Sequence, residues 1–118
     1  MSVKENAVIT VSLENGQLVL SDNEGNPFDP KHPEKFTTQV KPNGKAGWVA
    51  GKGISSLPLI KVDEGEDIFK KLPFEKDGAW ECKIDGKHSG SAKYSITYLA
   101  EGSTEQVTID PRLDIKWP

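Results

Sequence analysis

One cysteine, two histidines and a methionine found only at the first position leave this 118-residue chain short of the usual staples and metal ligands. A lone Cys82 forms no internal disulfide, which fits a reducing compartment. A blue-copper centre needs two histidines, a cysteine and usually a weak methionine ligand. His32 lies among prolines, His88 lies in a polar loop, and the spacing fits neither copper nor zinc. No cofactor is therefore expected. Charge of one sign is also scarce: a net −3 spread over interspersed acids and lysines leaves no basic stripe, which argues against nucleic acid as a partner. No apolar run is long enough to span a membrane. The start, MSVKENAVITVSL, lacks the charged lead and apolar core of a secretion signal, so the expected location is cytoplasmic.

What the chain does have is alternation. Ile9, Val11 and Leu13 alternate with polar residues, and Asn15-Gly16 then makes a strong hairpin signal, pairing Leu13 with Leu18 and Val11 with Leu20. Phe36, Thr38 and Val40 mark a third strand. Gly47, Gly51, Gly53 and Pro58 interrupt the apolar residues between Trp48 and Ile60, which predicts bulged or short strands there. Trp80, Cys82 and Ile84 form another strand, with Cys82 pointing inward as a small hydrophobe. About seven to eight short strands and no long helical period predict a single all-β domain over 1–118. The expected architecture is an antiparallel β-sandwich of immunoglobulin or cupredoxin type.

Three segments stand apart. Residues 22–35, with three prolines, read as a long irregular connection, and Asp29-Pro30 within it as an inert turn. Glu64–Lys71, acids first and lysines last, is the one stretch expected to form a helical turn. Gly51-Lys52-Gly53-Ile54-Ser55-Ser56 has glycines and a lysine for holding an anion, but neither P-loop spacing nor a following helix.

The last quarter, AKYSITYLAEGSTEQVTIDPRLDIKWP, carries the chemistry. Tyr94, Ile96 and Tyr98 alternate with polar residues, as do Val107 and Ile109, so the segment reads as a hairpin about Glu101-Gly102. Pairing outward from a two-residue loop sets Ile96 against Val107 and Lys93 against Asp110, with Cβ atoms about 5 Å apart. Asp110 precedes Pro111. In such a pair the side-chain carboxyl can attack its own main-chain carbonyl, close a succinic anhydride and expel the proline nitrogen. A neutral lysine beside the anhydride then forms an isopeptide bond, and water otherwise hydrolyses it. Good intramolecular placement is worth roughly 7–11 kcal/mol of barrier. Ser95 and Thr108, on the same face, are candidates for orienting the carboxyl. The corner is expected to need local cover, since burial favours the neutral amine and the protonated carboxyl. In Pro111–Pro118, Leu113, Ile115 and Trp117 alternate with polar residues, which predicts a terminal strand that stays docked if severed.

The C-terminal run, a lysine strand followed one hairpin later by hydrophobic-Asp-Pro and a short terminal strand, resembles the small bacterial DP-EP family. Chain length and the all-β pattern extend the likeness. The resemblance implies a β-sandwich that cuts its own backbone after the aspartate of the C-terminal Asp-Pro and joins that aspartate to a lysine of the neighbouring strand. In this sequence these residues are Asp110, Pro111 and Lys93. Trp117-Pro118 stands where the family name suggests Glu-Pro. The expected function is thus that of a self-processing, aspartic-peptidase-like protein whose partner is its own 111–118 peptide. The alternative is a non-enzymatic binding or structural β-sandwich with an ordinary Lys93–Asp110 ion pair.

Overall fold

A computed structural model describes residues 6–116. Ten strands, β1 (Asn6–Glu14), β2 (Gln17–Asp22), β3 (Thr37–Val40), β4 (Lys45–Ala50), β5 (Ile54–Glu64), β6 (Phe69–Lys76), β7 (Ala79–Ile84), β8 (Ser89–Ala100), β9 (Gln106–Ile109) and β10 (Arg112–Lys116), form two sheets. One has the order β2-β1-β4-β7-β6. The other runs β3-β10-β8-β5, with β9 also paired to β8.

Alternation dictates which sides meet. Ile9, Val11, Ala46, Trp48, Cys82 and Ile84 from the first sheet, and Ile60, Tyr94, Ile96, Leu113 and Ile115 from the second, belong to one buried cluster between the layers. The Trp48 indole N–H donates to the Tyr94 hydroxyl at 3.1 Å, with ring centroids 5.2 Å apart in an edge-to-face contact. This bond crosses from one sheet to the other and pins β8 in the middle of the second.

The β1–β2 hairpin has the expected register, Leu13 opposite Leu18 and Val11 opposite Leu20. Asn15 and Gly16 both take positive φ, 52° and 78°, as a two-residue turn matching strand twist requires. The all-β sandwich holds, but its sheets are mixed rather than purely antiparallel. β1 lies parallel to β4, and β3 parallel to β10. Strands distant in sequence make these pairings through crossovers, which local patterning does not encode.

The strand count exceeds seven to eight partly because FKKLPFEK forms β6. It is an edge strand, where a proline and outward lysines are tolerated and the apolar alternation is weak. The helical turn expected over Glu64–Lys71 shrinks to a 3₁₀ turn at Glu66–Ile68 between β5 and β6. The 22–35 connection is irregular up to a 3₁₀ turn at Pro33–Lys35. Its anchor is Asp22, whose carboxylate accepts the backbone N–H groups of Glu24 and Asn26, the Asn26 side-chain amide and, at 2.6 Å, the hydroxyl of the buried Thr38. Among the described residues no helix is long and apolar enough to cross a membrane.

Candidate functional site

β9 and β10 run along the same edge of β8 in one continuous register: Ile96 faces Ile109 and Lys93 faces Arg112. Asp110 and Pro111 fill the gap between the two strands. Pro111 is the physical cause of that gap, because it has no N–H to give the ladder. Its carbonyl still accepts the Tyr94 N–H at 3.2 Å, and the next amide, from Arg112, donates to Phe36 O at 2.8 Å. The Asp110–Pro111 peptide is thus held from both flanks while its own nitrogen carries no hydrogen.

The register differs by two residues from that expected. Ala100–Ser103 form a turn, with Ser103 N–H donating to Ala100 O. The Ser103 hydroxyl then accepts the Glu105 N–H, so the chain spends extra residues before β9 begins. Glu101-Gly102 is therefore not a complete two-residue loop. A two-residue slip preserves the faces, so Lys93, Ser95, Asp110 and Arg112 remain on one side. It changes the neighbours. Ser95, not Lys93, stands across from Asp110, and its hydroxyl lies 2.9 Å from Asp110 Oδ1. Lys93 is one diagonal away, its ammonium 3.9 Å from Glu64 Oε2, and no ion pair joins it to Asp110. Thr108 shares the face but contacts the Thr97 hydroxyl at 3.0 Å, one rung from the aspartate. The expected cover is missing: Asp110 is exposed and the Lys93 side chain is 47% exposed.

Two acids that the sequence reading did not single out complete the arrangement. Along β5, Val62 pairs with Tyr94 and Glu64 with Lys93, so Asp63 and Glu64 together oppose a single residue. Asp63 shares the outer face with Lys61 by alternation, and the bulge turns Glu64 to the same side. Asp63 reaches the hydroxyl of Ser95, the same hydroxyl that contacts Asp110. Alternation of Ile60 and Val62 with Lys61 and Asp63 carries the signal for Asp63, whereas the outward turn of Glu64 depends on the pairing with β8. Glu34, from the 3₁₀ turn before β3, closes the far side. Together with Asp63, Glu64, Lys93, Asp110 and Arg112 it lines an open cleft of about 300 Å³.

The other Asp-Pro pair has a different environment. Asp29 Oδ1 accepts the Lys31 N–H at 2.9 Å and its carbonyl accepts the His32 N–H, a local turn with no facing strand. His32 Nδ1 lies 3.2 Å from Glu34. Cys82 is buried, and burial pushes its thiol up to about 12. Among the described residues no group of three or more histidines, cysteines or acids is placed to hold a metal ion. Trp117, expected on the inward face of the terminal strand, lies outside the described residues. Comparison with protein-family models and with curated proteins finds no match.

Proposed function

We propose that the chain is a single-turnover self-processing protein that cuts its own Asp110–Pro111 bond and joins Asp110 to Lys93, as the likeness to the DP-EP family suggests. The carrying observation is the contact that fixes the Asp110 carboxylate. Ser95 holds Oδ1 at 2.9 Å, which leaves Oδ2 free to attack the main-chain carbonyl carbon. Attack forms the anhydride C–O bond, the C–N bond to Pro111 breaks, and the proline nitrogen takes up a proton to leave as an amine. Lysine attack on the side-chain carbon then breaks the anhydride, forms the isopeptide bond, and leaves the α-carboxylate of Asp110 free. The reaction takes place at a cytoplasmic location, with the chain's own terminal strand as its substrate.

The open cleft and the pairing of Lys93 with Glu64 favour a second reading, in which the same face is a surface of a binding module that makes no covalent change. Denaturing mass spectrometry of the purified full chain during incubation separates the two. Self-processing yields an octapeptide starting at Pro111 and a 1–110 fragment lighter by one water than simple hydrolysis gives. Asp110→Asn should slow scission by about a hundredfold or more, because an amide oxygen is a poor nucleophile. A wild-type chain that stays at full mass with an unmodified Lys93 overturns self-processing and promotes the binding-module reading.

A further inference from the structure

We propose that Ser95 is a catalytic acyl acceptor, so that the Asp110 acyl group passes through a Ser95 ester before it reaches Lys93. The inference rests on the self-cleavage reading and adds a step to it. Three observations lead there. The register puts Ser95 across from Asp110, with its hydroxyl oxygen 2.9 Å from the carboxylate, whereas Lys93 sits on the diagonal and points its ammonium toward Glu64 on the opposite flank of β8. The Asp63 carboxylate, on the same face of β5 as Lys61, contacts the same hydroxyl and is placed to take its proton. One hydroxyl hydrogen serves one oxygen at a time. Ser95 can therefore hold Asp110 before scission and turn its hydrogen to Asp63 after it.

The third observation is exposure. In an open cleft the anhydride faces water, and the group already in contact competes best: intramolecular nucleophiles reach effective concentrations of roughly 10⁵–10⁸ M when well oriented. Ser95 Oγ attacks the side-chain carbon of the anhydride, the bridging C–O bond breaks, and the α-carboxylate departs with the electron pair. Asp63 receives the hydroxyl proton. A neutral Lys93 amine next attacks the ester carbonyl, the Ser95 oxygen leaves and recovers its proton from Asp63, and the amine gives up one proton to solvent. The isopeptide product is unchanged in mass and Ser95 is regenerated, so the end state conceals the intermediate.

Stopping the second transfer reveals it. In the full-length Lys93→Arg variant, which keeps the surface cation but removes the acyl acceptor, the freshly cut 1–110 fragment should carry the mass of the dehydrated form. Peptide mapping should find an ester between Ser95 and Asp110. Hydroxylamine should convert that species to an Asp110 hydroxamate. In Lys93→Arg/Ser95→Ala the fragment should appear directly at the hydrolysed mass and give at least about tenfold less hydroxamate. Ser95→Ala alone should lower the ratio of cross-linked to hydrolysed fragment, a partition that mere orientation of the carboxyl would leave unmoved. Scission of Lys93→Arg that yields only hydrolysed fragment, or hydroxamate formed equally with and without Ser95, overturns the ester while leaving self-cleavage standing. Absence of scission in the wild-type chain overturns both.

Discussion

Burial sets the chemistry of Cys82 at the scale of a single side chain. The thiol ordinarily loses its proton near 9.0, and removal from water pushes that up to about 12, since a buried thiolate has little to solvate it. Between those values the unfolded chain releases a proton that the folded chain keeps, so stability is complete below the ordinary value and falls as pH rises. The loss amounts to about 4 kcal/mol across the interval, and the buried Tyr94 hydroxyl, also raised by burial, acts with the same sign. Urea unfolding followed by circular dichroism should give midpoints that decline steadily from about pH 9 upward, with a shallower decline in Cys82→Ala. Equal slopes in the two proteins would show that Cys82 is accessible in the folded state. The same burial makes this thiol inert as a nucleophile. The proposed chemistry is placed instead on the outer face, where Ser95, Asp63, Asp110 and Lys93 lie.

At the scale of elements, the bulge near the end of β5 decides what that outer face can do. Gly65 follows Glu64 with φ of 86°, and a Cβ there would sit 2.2 Å from Ser91 O and 2.8 Å from Ala92 Cα. A main-chain atom of β8 cannot retreat as a flexible side chain can. Gly65→Ala should therefore cost about 2 kcal/mol or more in urea unfolding, and should lower the ratio of cross-linked to hydrolysed fragment in the surviving folded population because Asp63 loses its hold on Ser95. A variant with unchanged stability would mean that β5 and β8 do not approach so closely. This bulge also marks how far the sequence could be read. Period-two alternation was enough to place Lys93, Ser95 and Asp110 on one face, and that assignment survives the shift in register. Turn composition was not enough to count residues around Glu101-Gly102, since the Ser103 hydroxyl stabilises a longer path. Glu64 looked like the acidic start of a helical turn because nothing local shows two residues opposing one across a sheet.

The whole molecule depends on its last strand. Among the described residues β10 is the only strand paired with β3, and it joins β3 to β8, so the order β3-β10-β8-β5 would lose two members without it. The alternation of Leu113 and Ile115 announced a strand with one buried face. The central position came from a parallel pairing with β3, more than seventy residues away, that no local pattern encodes. Scission at Asp110–Pro111 would turn this strand into a separate chain, because Lys93 and Asp110 both stay on the larger fragment. Hydrogen bonds on both edges and the burial of Leu113 and Ile115 oppose its departure. Each of those side chains contributes about 1.5–3 kcal/mol, offset by the entropy of ordering a free peptide. The octapeptide of the cut protein should accordingly co-elute with 1–110 in native size-exclusion chromatography. Leu113→Ala, at a fully buried site, should weaken the association by about 2–5 kcal/mol and release the peptide on dilution, while Asp114→Ala on the outward face should retain it. Release from the wild-type protein as readily as from Leu113→Ala would mean that the covalent bond, and not the packing, holds β10 in place.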